Sequence, residues 1–362
     1  MRTFVALVIC AVVAVPAGAS ASTAPRKLVR DASRLSGLTL RAPVRTTVVS
    51  TRRYDALVTR AWSRDYPTTV RRTEASVYKR LGLVTRTVRA QAPRAWYDVS
   101  ARRLFLQRTH AASHRALIQE VVRALVDQNY GLRRLVGLRV RDRDRWLAAD
   151  AIVGGTAALA SGLHAAPLRG TPLDRFSALE ASAGLGPGRT LATQLRYLGG
   201  RSALASALRT FPQTTEQLLH VDKFLERERA LSVPLPDRAG GAGLVASETF
   251  GELDVRSLLQ AFGVPSAATT AEGWGGGRLA LYDGVAALVL RWDTPDDAAE
   301  WQAAVPQYVD AAFPGTTPST CPPLDRCWSG PGELAAGVYG TTAVFASGPG
   351  SAAVAASLLT SR

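Results

Sequence analysis

The sequence predicts an α+β fold, in which a mainly helical N-terminal domain at 36–210 precedes a smaller α+β C-terminal domain at 211–362. Three observations lead to this prediction. Apolar residues before residue 210 recur mostly at every third or fourth position, as they do on the buried face of a helix. After residue 274 the apolar period shortens towards the two-residue period of strands. The length of 362 residues allows two domains of ordinary size.

The patterns of the N-terminal part give its elements in chain order. The expected elements are an extended stretch within 36–49, helical structure over 53–81 with a break at Pro67, a strand at 84–88, two short strands at 95–98 and 103–107, and helices at 114–128, 142–159 and 173–208. The glycine pair at 154–155 is unusual within such a helix, because glycine costs up to about 1 kcal/mol relative to alanine in a helix interior.

The C-terminal part alternates helices and strands. The expected elements are a short helix after Thr214, a helix at 250–262, strands at 279–282 and 286–292, a helix at 295–313, a strand-rich segment at 334–346 and a closing helix at 350–359. The helix at 295–313 has a clear start signal, because Thr294, Asp296 and Asp297 precede or open its first turn.

The first residues predict export. Arg2 precedes an apolar run of about a dozen residues, and the small residues after it fit a signal-peptide cleavage site, so residues 1–21 are expected to be a signal peptide. The run is shorter than the roughly 20 residues that a spanning helix needs. An uncleaved anchor is the alternative, and a lipid anchor at Cys10 fits less well. Residues 22–35 are expected to be a disordered leader, and no later stretch predicts a transmembrane segment. The mature chain is therefore expected to be secreted or extracytoplasmic.

Two cysteines remain after the signal segment. Cys321 and Cys327 are expected to form a disulfide, because an even pair in an exported protein favours oxidation. A two-cysteine metal site is the alternative, but no histidine lies near the pair in the sequence.

The charge is unevenly distributed. Residues 26–145 contain 28 Lys and Arg against 9 Asp and Glu, whereas the whole chain carries a formal net charge of +15. Such a positive segment fits an anionic partner such as a cell-envelope polymer. It fits better a protein that simply carries its surface charge as arginine, since lysine occurs at only three positions. No basic module with interleaved aromatic residues predicts nucleic-acid binding.

The helix at 114–128 carries polar residues at the spacing of a zinc-peptidase helix. Such a helix needs two histidines four residues apart and a glutamate after the first, which activates the bound water. Gln119 and Arg123 stand at the two histidine positions, and Glu120 stands at the position of the base.

The segment Q-E-V-V-R-A-L-V-D-Q at 119–128 resembles the H-E-L-T-H-A-L-Q-D-Q signature of exported bacterial metallopeptidase-like proteins of the gluzincin type. The segment A-I-V-G-G-T-A at 151–157 resembles that family's A-L-V-E-G-D-A, whose glutamate is the third zinc ligand. The segment T-E-Q-L-L-H at 215–220 resembles its T-E-Q-x-L-H. The resemblance runs in order from about residue 36 to 313 and implies a zincin-like N-terminal domain.

The resemblance also implies that the metal ligands are lost, at Gln119, Arg123 and Gly154. Arginine offers no lone pair and glycine no side chain, so no zinc or other cofactor is expected, and Glu120 is expected to be a vestigial base. Arg123 lies three residues from Glu120 and four from Asp127. We therefore expect the Arg123 guanidinium to occupy the vacated position and to neutralise Glu120, with Asp127 as its further partner. An ordinary solvated ion pair is the alternative.

The sequence therefore predicts an exported pseudopeptidase that binds a peptide or a cell-envelope component without cleaving it. The rival enzyme hypothesis places a metal on His110 and His114, which are also four residues apart, and uses Glu120 as the base. A purely structural envelope protein is the third hypothesis.

Overall fold

A computed structural model describes residues 20–83, 94–109 and 112–360. Its N-terminal elements are β1 (Ser20–Thr23), α1 (Arg26–Ser36), β2 (Arg45–Val49), α2 (Thr51–Asp65), α3 (Thr68–Arg80), β3 (Ala95–Asp98), β4 (Arg103–Gln107), α4 (His114–Tyr130), α5 (Leu138–Arg141), α6 (Arg143–Ser161), α7 (Pro172–Ala181) and α8 (Pro187–Thr210). The predicted break at Pro67, the strand pair and the helices at 114–128 and 142–159 are confirmed. The helix expected at 173–208 is corrected, because the glycine-rich segment at 182–186 divides it into α7 and α8, and α8 is kinked at Gly199 and Gly200. The strand expected at 84–88 lies outside the described residues.

The second part continues the alternation of helices and strands. Its elements are α9 (Thr215–Leu219), α10 (Val221–Glu226), β5 (Arg238–Ala239), β6 (Ala242–Thr249), α11 (Glu252–Ala261), α12 (Ala267–Ala271), β7 (Trp274–Tyr282), β8 (Val285–Trp292), α13 (Pro295–Ala312), β9 (Thr317–Cys321), β10 (Leu324–Ser329), β11 (Leu334–Tyr339), β12 (Thr342–Ser347) and α14 (Ser351–Thr360). The α+β class is thus confirmed, with a helical first half and a sheet-rich second half.

A small sheet and helix α4 form the frame of the first half. The described strands of this sheet follow the order β1-β2-β4-β3, with β2 parallel to β4 and β3 antiparallel to it. Helix α4 begins at Ser113, whose hydroxyl accepts the Ala116 N–H, and ends at Gly131, whose positive φ stops the helix. Val121, Val122 and Leu125 on this helix are fully buried, which fixes its rotation against the sheet and against α6.

Helix α6 keeps its glycine pair because it crosses the start of α8 very closely. A Cβ on Gly155 would lie 2.1 Å from backbone atoms of Gly188, and a Cβ on Gly154 would lie 3.0 Å from the Cα of Gly184. The two glycines therefore permit a backbone approach that any side chain would block, and this close packing outweighs their low helix propensity.

The second half is built on an antiparallel sheet whose described strands follow the order β5-β6-β7-β8-β12-β11-β10-β9. Side chains of a strand alternate between its two faces. On β8, Leu288 and Leu290 therefore join a core with α11 and α13, whereas Ala287 and Val289 join a second core with α14. This sheet is thus covered by helices on both faces.

The two halves share part of their interior. The core between the large sheet and α13 also contains Val77, Leu81 and Leu83 at the end of α3, and Phe176 of α7. The buried guanidinium of Arg143 on α6 pairs with carboxylates of the α7 and α11 helices. The hydrophobic core therefore does not divide at residue 210, the expected domain boundary.

The disordered leader expected at 22–35 is corrected. Residues of this segment form the end of β1 and most of α1, and Leu28, Val29 and Ala32 are buried in the helical core. The apolar residues at spacings of one, three and four give α1 a face that packs on α4 and α6. The high arginine content of the segment makes this apolar face difficult to recognise in the sequence.

Two smaller predictions concern the cysteines and the membrane. The predicted disulfide is confirmed, since Cys321 and Cys327 are bonded across the β9–β10 hairpin with their Cα atoms 5.9 Å apart. Among the described residues, no helix has the length and apolar character needed to cross a membrane. The expected signal peptide lies almost entirely outside the described residues.

Candidate functional site

A cavity of about 370 Å³ lies between α2, β3, α4, α5 and α6. Its described lining contains five aromatic residues, Trp62, Tyr66, Trp96, Tyr97 and Trp146. Its described charged residues are the carboxylates Asp65, Asp98, Glu120 and Asp150 and the guanidinium groups of Arg64, Arg123 and Arg139. The candidate base and the residue at one of the two expected histidine positions are therefore brought together in one cavity.

Glu120 is held against strand β3. Tyr97 and Leu104 form a pair that does not exchange backbone hydrogen bonds, because the neighbouring Arg94 carbonyl accepts the Gln107 N–H and such pairs alternate along a ladder. The Tyr97 N–H consequently points away from β4, and it donates to Glu120 Oε2 at 2.8 Å. Burial raises the pKa of the Glu120 carboxyl, whereas Arg123 and the Tyr97 N–H oppose that rise.

Arg123 pairs with Asp150, an acid that the resemblance to zinc peptidases does not identify. Its Nη2 donates to Asp150 Oδ1, and both side chains are partly buried at the cavity wall. The positive charge of Arg123 also opposes the rise that burial causes in the pKa of Glu120. No direct hydrogen bond joins the two side chains. The guanidinium therefore lies between two acids of adjacent helices, and its closest partner is Asp150 rather than Glu120.

Asp127 contacts residues other than Arg123, its expected partner. Its Oδ2 accepts the Tyr97 hydroxyl at 2.8 Å, and its Oδ1 accepts the Leu132 N–H at 2.8 Å. The Arg102 Nε lies 3.6 Å from Oδ2. The expectation that Asp127 pairs with Arg123 is therefore corrected, because the rotation of α4 turns Asp127 towards the β3 phenol and the turn after the helix.

The other two expected ligand positions do not line the cavity. Gln119 is half-buried on α4 and is not among the described lining residues. Gly154 faces Gly184 at the close crossing of α6 with the loop before α8. Asp150, one helical turn before Gly154, lines the cavity from α6, as does Trp146. The spacing to Gly154 gives no signal for Asp150, because Gly154 does not line the cavity and α6 is buried on nearly all sides.

The donor set beside Glu120 does not fit zinc. A zinc peptidase site needs three ligands with free lone pairs. The Arg123 guanidinium has none, Gly154 has no side chain, and the Asp150 carboxylate is engaged by Arg123.

Of the rival histidine pair, His110 lies outside the described residues. His114 is the first residue of α4 and its side chain is 62% exposed, with Nε2 4.0 Å from Asp31 Oδ2. It is separated from Glu120 by six residues, which places the two on different faces of the helix.

Within the described residues, one carboxylate trio has the spacing of a metal site, at Glu216, Glu228 and Asp293. The Lys223 ammonium lies among these acids, 2.5 Å from Glu216, 2.8 Å from Asp293 and 3.2 Å from Glu228. The Lys223 ammonium thus occupies the position between the three carboxylates and compensates part of their charge. The T-E-Q segment at 215–217 has a structural role here. Glu216 of α9 and Asp293 at the end of β8 both accept hydrogen bonds from Lys223 of α10, which joins the three elements.

Nearby, His220 Nε2 lies 2.9 Å from Glu252 Oε1, and this hydrogen bond raises the pKa of the imidazole. His220 is therefore a partner of helix α11 and not a ligand of the Glu120 cavity.

Comparison with known proteins gives one match. A family model described as Domain of unknown function (DUF8575) matches residues 238–357, which run from β5 into α14. No curated protein and no solved structure matches the chain. The match covers the large sheet and its helices and does not include the residues of the Glu120 cavity.

Proposed function

We propose that the protein is an exported pseudopeptidase, which binds an extended peptide in the Glu120 cavity and does not cleave it. The observation that carries the proposal is the Arg123–Asp150 pair beside Glu120, in a cavity of about 370 Å³ with aromatic walls. The resemblance to zinc peptidases supplies the peptide as the ligand class.

The chemistry of the cavity favours binding over hydrolysis. Glu120 could still accept a proton from water, but peptide hydrolysis also needs an electrophile that polarises the carbonyl. The nearest cation, Arg123, is paired with Asp150, and Glu120 Oε2 already accepts the Tyr97 N–H. Arg123 and Glu120 therefore both make hydrogen bonds that stabilise the cavity wall.

Strand β3 favours an extended ligand. It is the last strand of its sheet among the described residues, and the backbone groups of Ala95 and Tyr97 point away from β4. The Tyr97 N–H is taken by Glu120, so the groups left for a ligand at these two residues are both backbone groups of Ala95 and the Tyr97 carbonyl. An edge of this kind can add a peptide strand by backbone hydrogen bonds, with side-chain pockets providing the selectivity. The ring of Trp96 and the phenol of Tyr97 lie at the same cavity and would flank such a strand.

The charges of the cavity favour a peptide over a polyanion. Its described lining holds four carboxylates and three guanidinium groups, so the excess of arginine in the first half of the chain is not concentrated there. A polyanionic envelope polymer would need an unpaired positive surface. A peptide with both polar and aromatic contacts fits the mixed lining better.

The extracytoplasmic location is part of the proposal. It is supported by the apolar segment after Arg2, and by the Cys321–Cys327 disulfide, which is typical of oxidising compartments.

The test is a binding and cleavage assay with a fluorescent library of short, terminally blocked peptides and the mature protein. We expect saturable binding with no product detected by mass spectrometry. The variant Val58→Trp, which fills the cavity, should abolish binding. The matched control Val245→Trp lies on β6 at a position that is 58% exposed and outside the cavity lining, and it should bind normally.

Cleavage that a chelator abolishes would overturn the proposal in favour of the relocated-metal enzyme. Absence of binding to the whole library would overturn it in favour of the structural envelope protein.

A further inference from the structure

Three aromatic rings surround one guanidinium group at one end of the Glu120 cavity. The Arg139 Cζ lies 4.0 Å from the ring centre of Tyr66, 4.8 Å from that of Trp146 and 5.5 Å from that of Trp62. Trp62 and Tyr66 meet edge to face with their ring centres 5.1 Å apart. We call this group of three rings the aromatic enclosure. Its geometry is that of a site for an organic cation.

Glu74 lies on the far side of the enclosed cation. Its Oε2 is 3.8 Å from Arg139 Nη2, and the two side chains are only 8% and 14% exposed. Burial raises the pKa of Glu74, whereas the positive charges of Arg139 and Arg143 oppose that rise. The aromatic enclosure and Glu74 together provide three ring faces and one buried acid, which is the usual composition of a site for guanidinium or ammonium groups.

The contacts of Arg139 differ from those of a permanently buried arginine. Arg143, the first residue of the next helix α6, donates to Asp254 at 2.6 Å and also to Glu180. Arg139 has no side-chain hydrogen bond of normal length among those the structure describes, and its buried Nε has no partner there. The rings, rather than directional hydrogen bonds, hold its charge, so another cation could replace it without leaving a hydrogen bond unmade.

The position of Arg139 connects it to two cavities. Its side chain lines the Glu120 cavity and also a cavity of about 230 Å³ that Glu74 and Glu248 line. Withdrawal of this one side chain would therefore join the two spaces. Trp62 is 48% exposed, so the enclosure is also open to solvent on one side.

We propose that the aromatic enclosure and Glu74 form a cation-recognition subsite of the Glu120 cavity. Arg139 occupies it in the free protein, and the guanidinium or ammonium group of an arginine or lysine side chain in the ligand displaces it. This inference rests on the proposed peptide-binding function and names the side chain that the cavity selects. The exchange replaces one cation by another, so the ring contacts are kept while the ligand gains its backbone contacts.

The first test measures the affinity of matched peptides that contain either arginine or citrulline, its neutral isostere, for the wild-type protein and for Arg139→Met. The arginine peptide should bind the wild type more tightly than the citrulline peptide by about 2-fold to 30-fold, the range of a cation–π contact. Arg139→Met removes the competing cation and should increase the affinity for the arginine peptide only. Equal affinities of the two peptides in both proteins would overturn the subsite.

A second measurement separates the subsite from the proposed function. Methylguanidinium, with urea as the neutral control, is titrated into Arg139→Met and Arg139→Ala while Trp fluorescence and the melting temperature are followed. We expect saturable quenching and a higher melting temperature with methylguanidinium alone. A folded variant that shows neither effect would overturn the subsite even if peptides bind the cavity. Methylguanidinium binding in a protein that binds no peptide would overturn the proposed function instead.

Discussion

The backbone N–H of Tyr97 donates a hydrogen bond of 2.8 Å to Glu120 Oε2, which fastens this carboxylate of α4 to strand β3. The phenol of the same residue donates to Asp127, two turns further along α4. One strand residue therefore fixes two acids of one helix.

The first prediction concerns the pH dependence of stability. Burial raises the pKa of Glu120 above its ordinary value of 4.5, so the folded protein holds this proton more tightly than the unfolded chain. The stabilisation from this group is therefore complete below pH 4.5 and is lost as the pH rises through the folded pKa. Glu120→Gln cannot lose a proton. Its unfolding free energy relative to wild type should increase between about pH 4 and about pH 8, as measured by urea denaturation.

The control for this experiment is Glu300→Gln, an exposed position on α13. A difference between wild type and Glu120→Gln that stays constant across the pH range would contradict the raised pKa.

The second prediction concerns the Arg123–Asp150 pair. Arg123→Met leaves Asp150 and Glu120 without their nearest cation, so it should destabilise the fold and raise the pKa of Glu120 further. Adding Asp150→Asn should recover part of the loss. A double-mutant cycle in urea is expected to give a coupling of about 0.5–3 kcal/mol between the two residues.

The matched control Arg115→Met removes an exposed arginine from the same helix and should change stability little. A coupling energy indistinguishable from zero would reduce the pair to a solvated surface contact.

The third prediction separates the two hydrogen bonds of Tyr97. Tyr97→Phe removes the phenol donor of the buried Asp127 but keeps the backbone N–H that binds Glu120. The variant should lose about 1–3 kcal/mol of stability, the usual cost of an unsatisfied buried acceptor. The pH dependence assigned to Glu120 should remain. Tyr197→Phe, at a position that is 90% exposed, is the control, and an equal effect of the two substitutions would disprove the role of the phenol.

The fourth prediction concerns the close crossing of α6 and α8. Gly155→Ala improves helix propensity but places a Cβ 2.1 Å from backbone atoms of Gly188. The expected net result is destabilisation by about 1–3 kcal/mol or more, measured by thermal or urea unfolding. Gly332→Ala, where a Cβ meets nothing within 4 Å, should be close to neutral. A stabilised Gly155→Ala would mean that the two backbones can separate at little cost.

Local sequence patterns predicted much of the fold because they depend on neighbouring residues. The period of α4, the break at Pro67, the turn between β3 and β4, and the Cys321–Cys327 disulfide all follow from such patterns. Helix α1 was missed because its packing partners lie about 90 residues or more away in the sequence, on α4 and α6. Its own composition resembles that of a solvated segment.

The candidate site was only partly predictable for a related reason. Glu120 and Arg123 were found because a helix of known spacing carries them. Asp150 was missed because α6 is buried on nearly all sides, so its apolar pattern gives no direction for its polar residues. Its rotation is set by the contact of Gly155 with Gly188, a relationship between distant parts of the chain.

The close crossing at Gly154 also bears on whether a zinc site could be built into this protein by substitution. A glutamate at this position would project towards the Gly184 backbone, because a Cβ alone would already lie 3.0 Å from the Gly184 Cα. Histidines introduced at 119 and 123 would therefore supply at most two ligands without the third. A third ligand at 154 would require the loop before α8 to move away from α6 first. The tight packing of this helix pair thus excludes a ligand at 154 as long as the two backbones keep their observed separation.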